Sequence, residues 1–132
     1  MVYAILCYND ETITGSWTKV EDDMVMARLA AVTSKAARAG KLGPVARLMP
    51  TTTATTLRKH GQGKRLEPGP EPPLITDGPF AETKEQLLGF YVIDCANLED
   101  ALHFSRDLGQ ANPGGAYEVR PISLFMPGTS TA

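Results

Sequence analysis

Two strand-then-helix patterns, separated by a proline-rich middle, predict an α+β sandwich of the ferredoxin-like kind. Three observations carry this. Val2 to Tyr8 and Leu87 to Asp94 are short apolar runs with both alternating faces apolar, as in strands at the middle of a sheet. Each is followed by a helical pattern with a capping signal at its start, Thr18-Lys19-Val20-Glu21 and Asn97-Leu98-Glu99-Asp100. Further strand patterns follow each helix. The order β-α-β-β, then β-α-β, suits an antiparallel or mixed sheet with both helices on one face.

Taken in order, the strand Val2 to Tyr8 ends in a polar connection from Asn9 to Trp17. The first helix starts at the Thr18 capping box. Val25, Leu29, Val32 and Ala36 recur at helical spacing, Lys35 and Arg38 occupy the last turn, and Gly40 stops it near Ala39. Val45 to Met49 and Ala54 to Lys59 read as strands, with Gly61-Gln62-Gly63 turning the chain back to Lys64-Arg65-Leu66. Glu67 to Pro73 is so rich in proline that it predicts an exposed, stiff insert without ladder bonds. In the strand Leu87 to Asp94, Gly89 marks a bulge or a close approach of backbones. The second helix buries Leu98, Ala101, Leu102, Ser105 and Leu108 and closes at Gly109. Tyr117 to Ile122 is the last strand, at an edge because of Pro121, and residues 128–132 read as a flexible tail. The expected organisation is one domain over residues 1–127.

Composition narrows the function classes. A chain of 132 residues with a formal net charge of −2 shows no clustered Lys and Arg, so direct binding of nucleic acid is not expected. Cys7 and Cys95 lie in apolar runs rather than at metal-ligand spacing, so neither a metal site nor a disulfide is expected. The first apolar run is too short for a leader or a membrane span, which predicts a cytoplasmic protein away from the membrane. Phosphate-loop, dinucleotide and HExxH signatures are missing, and no cofactor is expected.

The densest chemistry lies at Asp77-Gly78-Pro79-Phe80-Ala81-Glu82-Thr83-Lys84-Glu85. Asp-Gly favours a positive-φ turn, Pro79 fixes the next φ, and Phe80 is positioned to anchor the loop in a core. Asp77 is the candidate catalytic acid or base; its plainer role is to close its own turn. Glu82, Lys84 and Glu85 are candidate ligand-binding groups, with a solvated charged turn as the alternative. Tyr8 would present its hydroxyl at the end of the first strand, within reach of Asp10. Arg120 either binds an anion or pairs with Glu82, Glu85 or Glu118. His60 and His103 have no nucleophile or carboxylate at a telling spacing. Apolar residues on the open sheet face, Tyr3, Ile5, Tyr91 and Ile93 or their alternating neighbours, call for a cover, and a homodimer supplies the simplest one.

The string DGPFAETKEQLLGFYVID, with Glu118-Val119-Arg120-Pro121, Tyr8-Asn9-Asp10-Glu11 and the threonine-rich segment from Leu48 to Thr56, closely resembles the DGPF family, a branch of the YCII-related proteins. The resemblance covers nearly the whole chain. It implies a ferredoxin-like dimeric α/β barrel of bacterial origin, whose members occur near or fused to alternative sigma factors. Relatives in the wider group carry a histidine near the first helix, proposed to pair with an aspartate. Here no histidine precedes His60, so that dyad does not carry over. Two functions fit: a binder of a small anionic or polar molecule beside the DGPF loop, with Asp77 as acid or base, or a non-catalytic module with a regulatory protein partner in sigma-factor-linked transcription.

Overall fold

The computed structural model describes residues 1–59 and 72–129. In chain order these form β1 (Val2–Asp10), α1 (Glu11–Thr14), α2 (Lys19–Arg38), β2 (Leu42–Arg47), a 3-10 turn at Thr51–Thr53, β3 (Thr55–Arg58), β4 (Leu74–Asp77), β5 (Glu85–Asp94), α3 (Leu98–Ala111) and β6 (Ala116–Pro121). The expected turn at Gly61 to Gly63, the strand at Lys64 to Leu66, His60, most of the proline-rich insert and the last three residues lie outside the described residues. The chain divides into two compact units, Met1–Leu48 with Lys84–Ala132, and Met49–Thr83.

The larger unit is an antiparallel four-stranded sheet in the order β2-β5-β1-β6. β1 and β5 are central, as their two-sided apolar pattern requires, and β6 is an edge ending at Pro121, which has no N–H to give to a further ladder. The order and the two helices on one side make this the ferredoxin-like α+β sandwich expected from the sequence. Beneath the helices, Tyr3, Ile5 and Ile93 pack with Val25, Leu29 and Ala36 of α2 and with Ala101, Phe104, Leu108 and Ala111 of α3. The face of β1 and β5 that carries Tyr3, Ile5, Tyr91 and Ile93 is thus the helix side. The open side falls to their alternating neighbours Val2, Ala4, Leu6, Phe90 and Val92.

Local signals explain the helices. Thr18 Oγ1 accepts from the Glu21 N–H at 3.1 Å while Glu21 Oε1 accepts from the Thr18 N–H at 2.9 Å, a closed capping box. α2 ends with Gly40 at φ 70°, a conformation that a side chain would resist. α3 starts at Asn97 as expected but runs past Gly109 to Ala111, because Gly109 lacks the positive φ of a stop. Its buried stripe includes Phe104 and Ala111, and Leu98 is left 50% exposed.

Three other expectations change. The polar connection after β1 is partly ordered: the strand runs on to Asp10, which caps the short helix α1. The strand read at Val45 to Met49 starts earlier, as β2 at Leu42, and pairs with β5, while β3 pairs with β4 in a separate two-stranded sheet. β4 was hidden in sequence because only Leu74, Ile75 and Thr76 separate the prolines from the Asp-Gly turn.

In the β1–β5 pairing the register shifts at one irregularity. Cys7 stands opposite Gly89 and Tyr8 opposite Leu87, which leaves Leu88 as the extra residue of a bulge and puts Leu87 on the face of Tyr8. Gly89 is also the close approach foreseen: a Cβ there would lie 2.5 Å from the Ala46 carbonyl oxygen.

Candidate functional site

The end of β1 gathers four of the predicted residues. Asp10 stands opposite Glu85 in the β1–β5 register, and Lys84 immediately precedes it. Tyr8 is half-buried two residues back, and Lys84 and Glu85 are exposed. Asp10 is almost buried at 9% and is held by its own turn: Oδ1 accepts from the Thr12 hydroxyl at 2.7 Å and from the Thr12 N–H at 2.9 Å. The Thr12 hydroxyl bond, then the Thr12 N–H bond, hold its carboxyl below the usual carboxylate range; partial burial opposes them, and Lys84 adds a smaller favourable charge. A carboxylate so engaged keeps its charge and orients neighbours rather than shuttling protons. Tyr8 and Lys84 are therefore the groups at this end with a hydrogen-bonding hydroxyl and a positive charge to offer a ligand.

Arg120 does not join them. It stands opposite Ala4, whereas Tyr8 stands opposite Ala116. Four residues of strand make that separation about 13 Å. Its guanidinium Nε is 3.3 Å from Glu118 Oε2, which settles the choice among the three expected partners in favour of Glu118.

In the smaller unit, Asp77 is the last residue of β4, opposite Thr55, and is exposed. Gly78 follows with φ 103°, the positive φ that Asp-Gly predicted. The turn is closed by backbone and threonine rather than by the aspartate: the Gly78 N–H donates to the Ala54 carbonyl at 2.8 Å, and Thr56 Oγ1 donates to the Gly78 carbonyl at 2.7 Å. Among the described residues no hydrogen bond engages the Asp77 carboxylate. Glu82 is also exposed. Phe80 is not a core anchor, since it is 71% exposed, with the Arg58 guanidinium 5.1 Å from its ring centroid. In this short loop the aromatic gains a cation rather than a core.

The sequence reading missed two residues that shape the first cluster. Asn9 is buried and accepts the Asp10 N–H on Oδ1 at 2.8 Å, and Thr12 fixes the Asp10 carboxylate. Asp10-Glu11-Thr12 was the available signal, an aspartate placed to cap the residues after it.

On the helix side, Gly109, Gly114, Gly115, Ala116 and Tyr117 line a cavity of about 230 Å³. None of the predicted site residues lines it. Nearby, Asn112 Oδ1 is buried without a hydrogen-bond partner among the described residues, while Nδ2 donates to the Tyr117 hydroxyl at 3.4 Å. Burial raises the Tyr117 pKa, partly offset by the Asn112 bond. Burial also pushes the Cys7 thiol up to about 12, so this side is a site of neutral groups. Among the described residues no three His, Cys, Asp or Glu side chains cluster as metal ligands, and no helix is long and apolar enough to cross a membrane.

A protein of Rhizobium meliloti (strain 1021), described as uncharacterized, is 60% identical over 129 residues, 97% of each chain. The model of the YCII-related domain matches residues 1–126, and with the whole four-stranded sheet and both long helices inside that match, the chain belongs to the YCII-related domain family.

Proposed function

We propose that the chain binds a small polar or anionic molecule beside the Tyr8 and Lys84 end of the open sheet face, as one half of a homodimer in the cytoplasm. One observation carries this: a hydroxyl, a cation and two carboxylates (Tyr8, Lys84, Asp10, Glu85) meet at the rim of half-buried apolar strands. Lys84 supplies the charge for a carboxylate or phosphate, Tyr8 a directional hydroxyl, and Asp10 a fixed negative charge that rejects misplaced anions. Glu85, opposite Asp10, tunes the field around them, while Arg120 stays paired with Glu118. Within the smaller unit, taken by itself, Asp77 is the residue we assign to any acid–base step, its carboxylate being exposed and unengaged among the described residues.

A panel of small carboxylates and phosphates, followed by calorimetric titration, tests the site. Lys84→Ala should weaken a bound anion about tenfold or more, as expected for a lost charge-assisted contact. Asp77→Asn should remove any turnover found with the same panel. Unchanged affinity in Lys84→Ala sinks the site, and turnover that survives Asp77→Asn sinks the acid–base role alone.

The second reading is a non-catalytic module whose partner is a regulatory protein of sigma-factor-linked transcription. Leu57, Leu74 and Ile75 on the β3–β4 sheet are all more than half exposed, which favours it, because such side chains suit a protein contact. Affinity capture that recovers no such partner, from cells expressing the full chain, counts against this reading.

A further inference from the structure

We propose a second binding site on the helix side, in the cavity between the C-terminal end of α3 and the start of β6, for a small neutral molecule that carries a primary amide. None of the residues of the anion site above lines this cavity, and the inference stands independently of that reading. The volume is about 230 Å³, and Gly109, Gly114, Gly115 and Ala116 on its wall are exposed, so it opens to water. With a water molecule's share of the liquid at about 30 Å³, there is room for about seven or eight non-hydrogen atoms.

Gly109 is the informative part of the wall. It lies inside α3 without a positive φ, and a Cβ there would meet its nearest neighbour, the Tyr117 ring, at an ordinary 3.9 Å. Neither backbone nor packing asks for glycine at this position, and a helix is weaker for having it in place of alanine. What the missing side chain does is leave one face of the cavity, beside the Tyr117 ring, open. Gly114 and Gly115 differ, since their positive φ of 80° and 78° makes the turn into β6.

The polar groups choose the ligand. Asn112 Nδ2 donates to the Tyr117 hydroxyl at 3.4 Å, so the phenol keeps its own proton to donate. Asn112 Oδ1 is a buried acceptor without a partner among the described residues. Turning that amide over would only exchange an unpartnered acceptor for an unpartnered donor. A buried polar atom left in this way costs free energy that a complementary group recovers. Among the described residues no hydrogen bond engages the N–H of Gly114 or Gly115. Donors and an acceptor thus border one cavity, and a primary amide carries both complements in one planar group.

Charge narrows the class further. α3 ends at this cavity with no basic residue in its last turn, so the partial negative charge of its last carbonyls is not offset there and disfavours an anion. A full cation would find no carboxylate on the wall. A neutral molecule with N–H groups suits both conditions.

NMR titration of the full chain with isobutyramide, against isobutyrate as the acid of the same shape, tests the site. Isobutyramide should shift the backbone amide signals of Gly109, Gly114 and Gly115 and the side-chain amide of Asn112 saturably, and isobutyrate should bind about tenfold more weakly or less. Gly109→Ala should raise the urea midpoint of unfolding, because alanine is the better helix former and its Cβ has room, and should nevertheless weaken isobutyramide several-fold by narrowing the cavity. Lys84→Ala, which removes the cation of the anion site, should leave isobutyramide binding as it is. The absence of a saturable shift at these signals overturns the inference. Equal affinity for isobutyrate, a Gly109→Ala protein that binds as well as the native chain, or binding lost in Lys84→Ala overturns it too, and none of the first three touches the anion reading.

Discussion

At position 10 one carboxylate joins local structure to pH. Asp10 accepts two bonds from Thr12 and feels Lys84, and these hold its folded pKa below the usual value against the opposing effect of burial. A carboxylate depressed in the folded state adds stability at pH above its unfolded pKa, about 4, and loses it as pH falls through the folded value. Asp10→Asn removes that titration. Urea unfolding of both proteins at a series of pH values below about 5 should show the native chain losing stability more steeply than the variant; parallel curves would mean that the Thr12 bonds do not favour the charged form. The same scale shows why the site was only partly legible in sequence. Gly89 was flagged correctly because a glycine inside a strand has few explanations, and the Ala46 carbonyl oxygen 2.5 Å from its would-be Cβ is one of them. Phe80 was misplaced because an aromatic beside a turn is compatible with a core or with a cation, and only geometry shows Arg58 above the ring. Asp77 was rightly put beside a positive-φ glycine, yet the closing bonds come from Gly78 and Thr56, a pairing between residues 22 apart that no local pattern carries.

Among the elements, α2 depends most on its ends. Of its 20 residues only Val25, Leu29 and Ala36 are buried, with Val32 packed against them, so its packing face is narrow. A helix with so little burial relies correspondingly more on its capping box. Thr18→Ala leaves the Glu21 N–H without its acceptor and should lower stability by about 0.5–2 kcal/mol in urea unfolding, with no change in the folded spectrum. A loss near zero would mean that water replaces the threonine without cost. Such caps are local in sequence, which is why both long helices and their start positions were readable. Strand pairing is not local. β2 and β3 look like neighbours along the chain, yet β2 joins β5 and β3 joins β4, partners chosen by long-range packing and by loop closure through residues between them. The end of α3 failed for a related reason: Gly109 looked like a stop, but a glycine stops a helix by adopting positive φ, which Gly109 lacks, and the helix ends instead at Ala111 with an extended Asn112 before Pro113.

Across the whole molecule, the two compact units differ in what can hold them. The four-stranded unit has a contiguous core in which Ile5, Ala101 and Leu108 are completely buried. No described residue of Met49–Thr83 is buried, and among the described residues its sheet has two strands. A two-stranded sheet without a core is marginal in water, so its ladder should open far more often than that of β1 and β5. Native-state hydrogen exchange reads this directly. The β3–β4 amides that bond across the ladder should exchange on the order of a hundredfold faster than those of Ile5 and Tyr91, whose strands lie at the sheet centre over the helices. In the presence of a bound molecule or partner that covers the small sheet, that difference should shrink by the free energy of the cover, while the β1–β5 amides stay unchanged. Equal protection of both ladders in the chain alone would mean that Leu57, Ile75 and Phe80 are shielded by something other than their own unit, and the β3–β4 sheet would then have to be counted with the core rather than as a separate, exposed surface open to a partner.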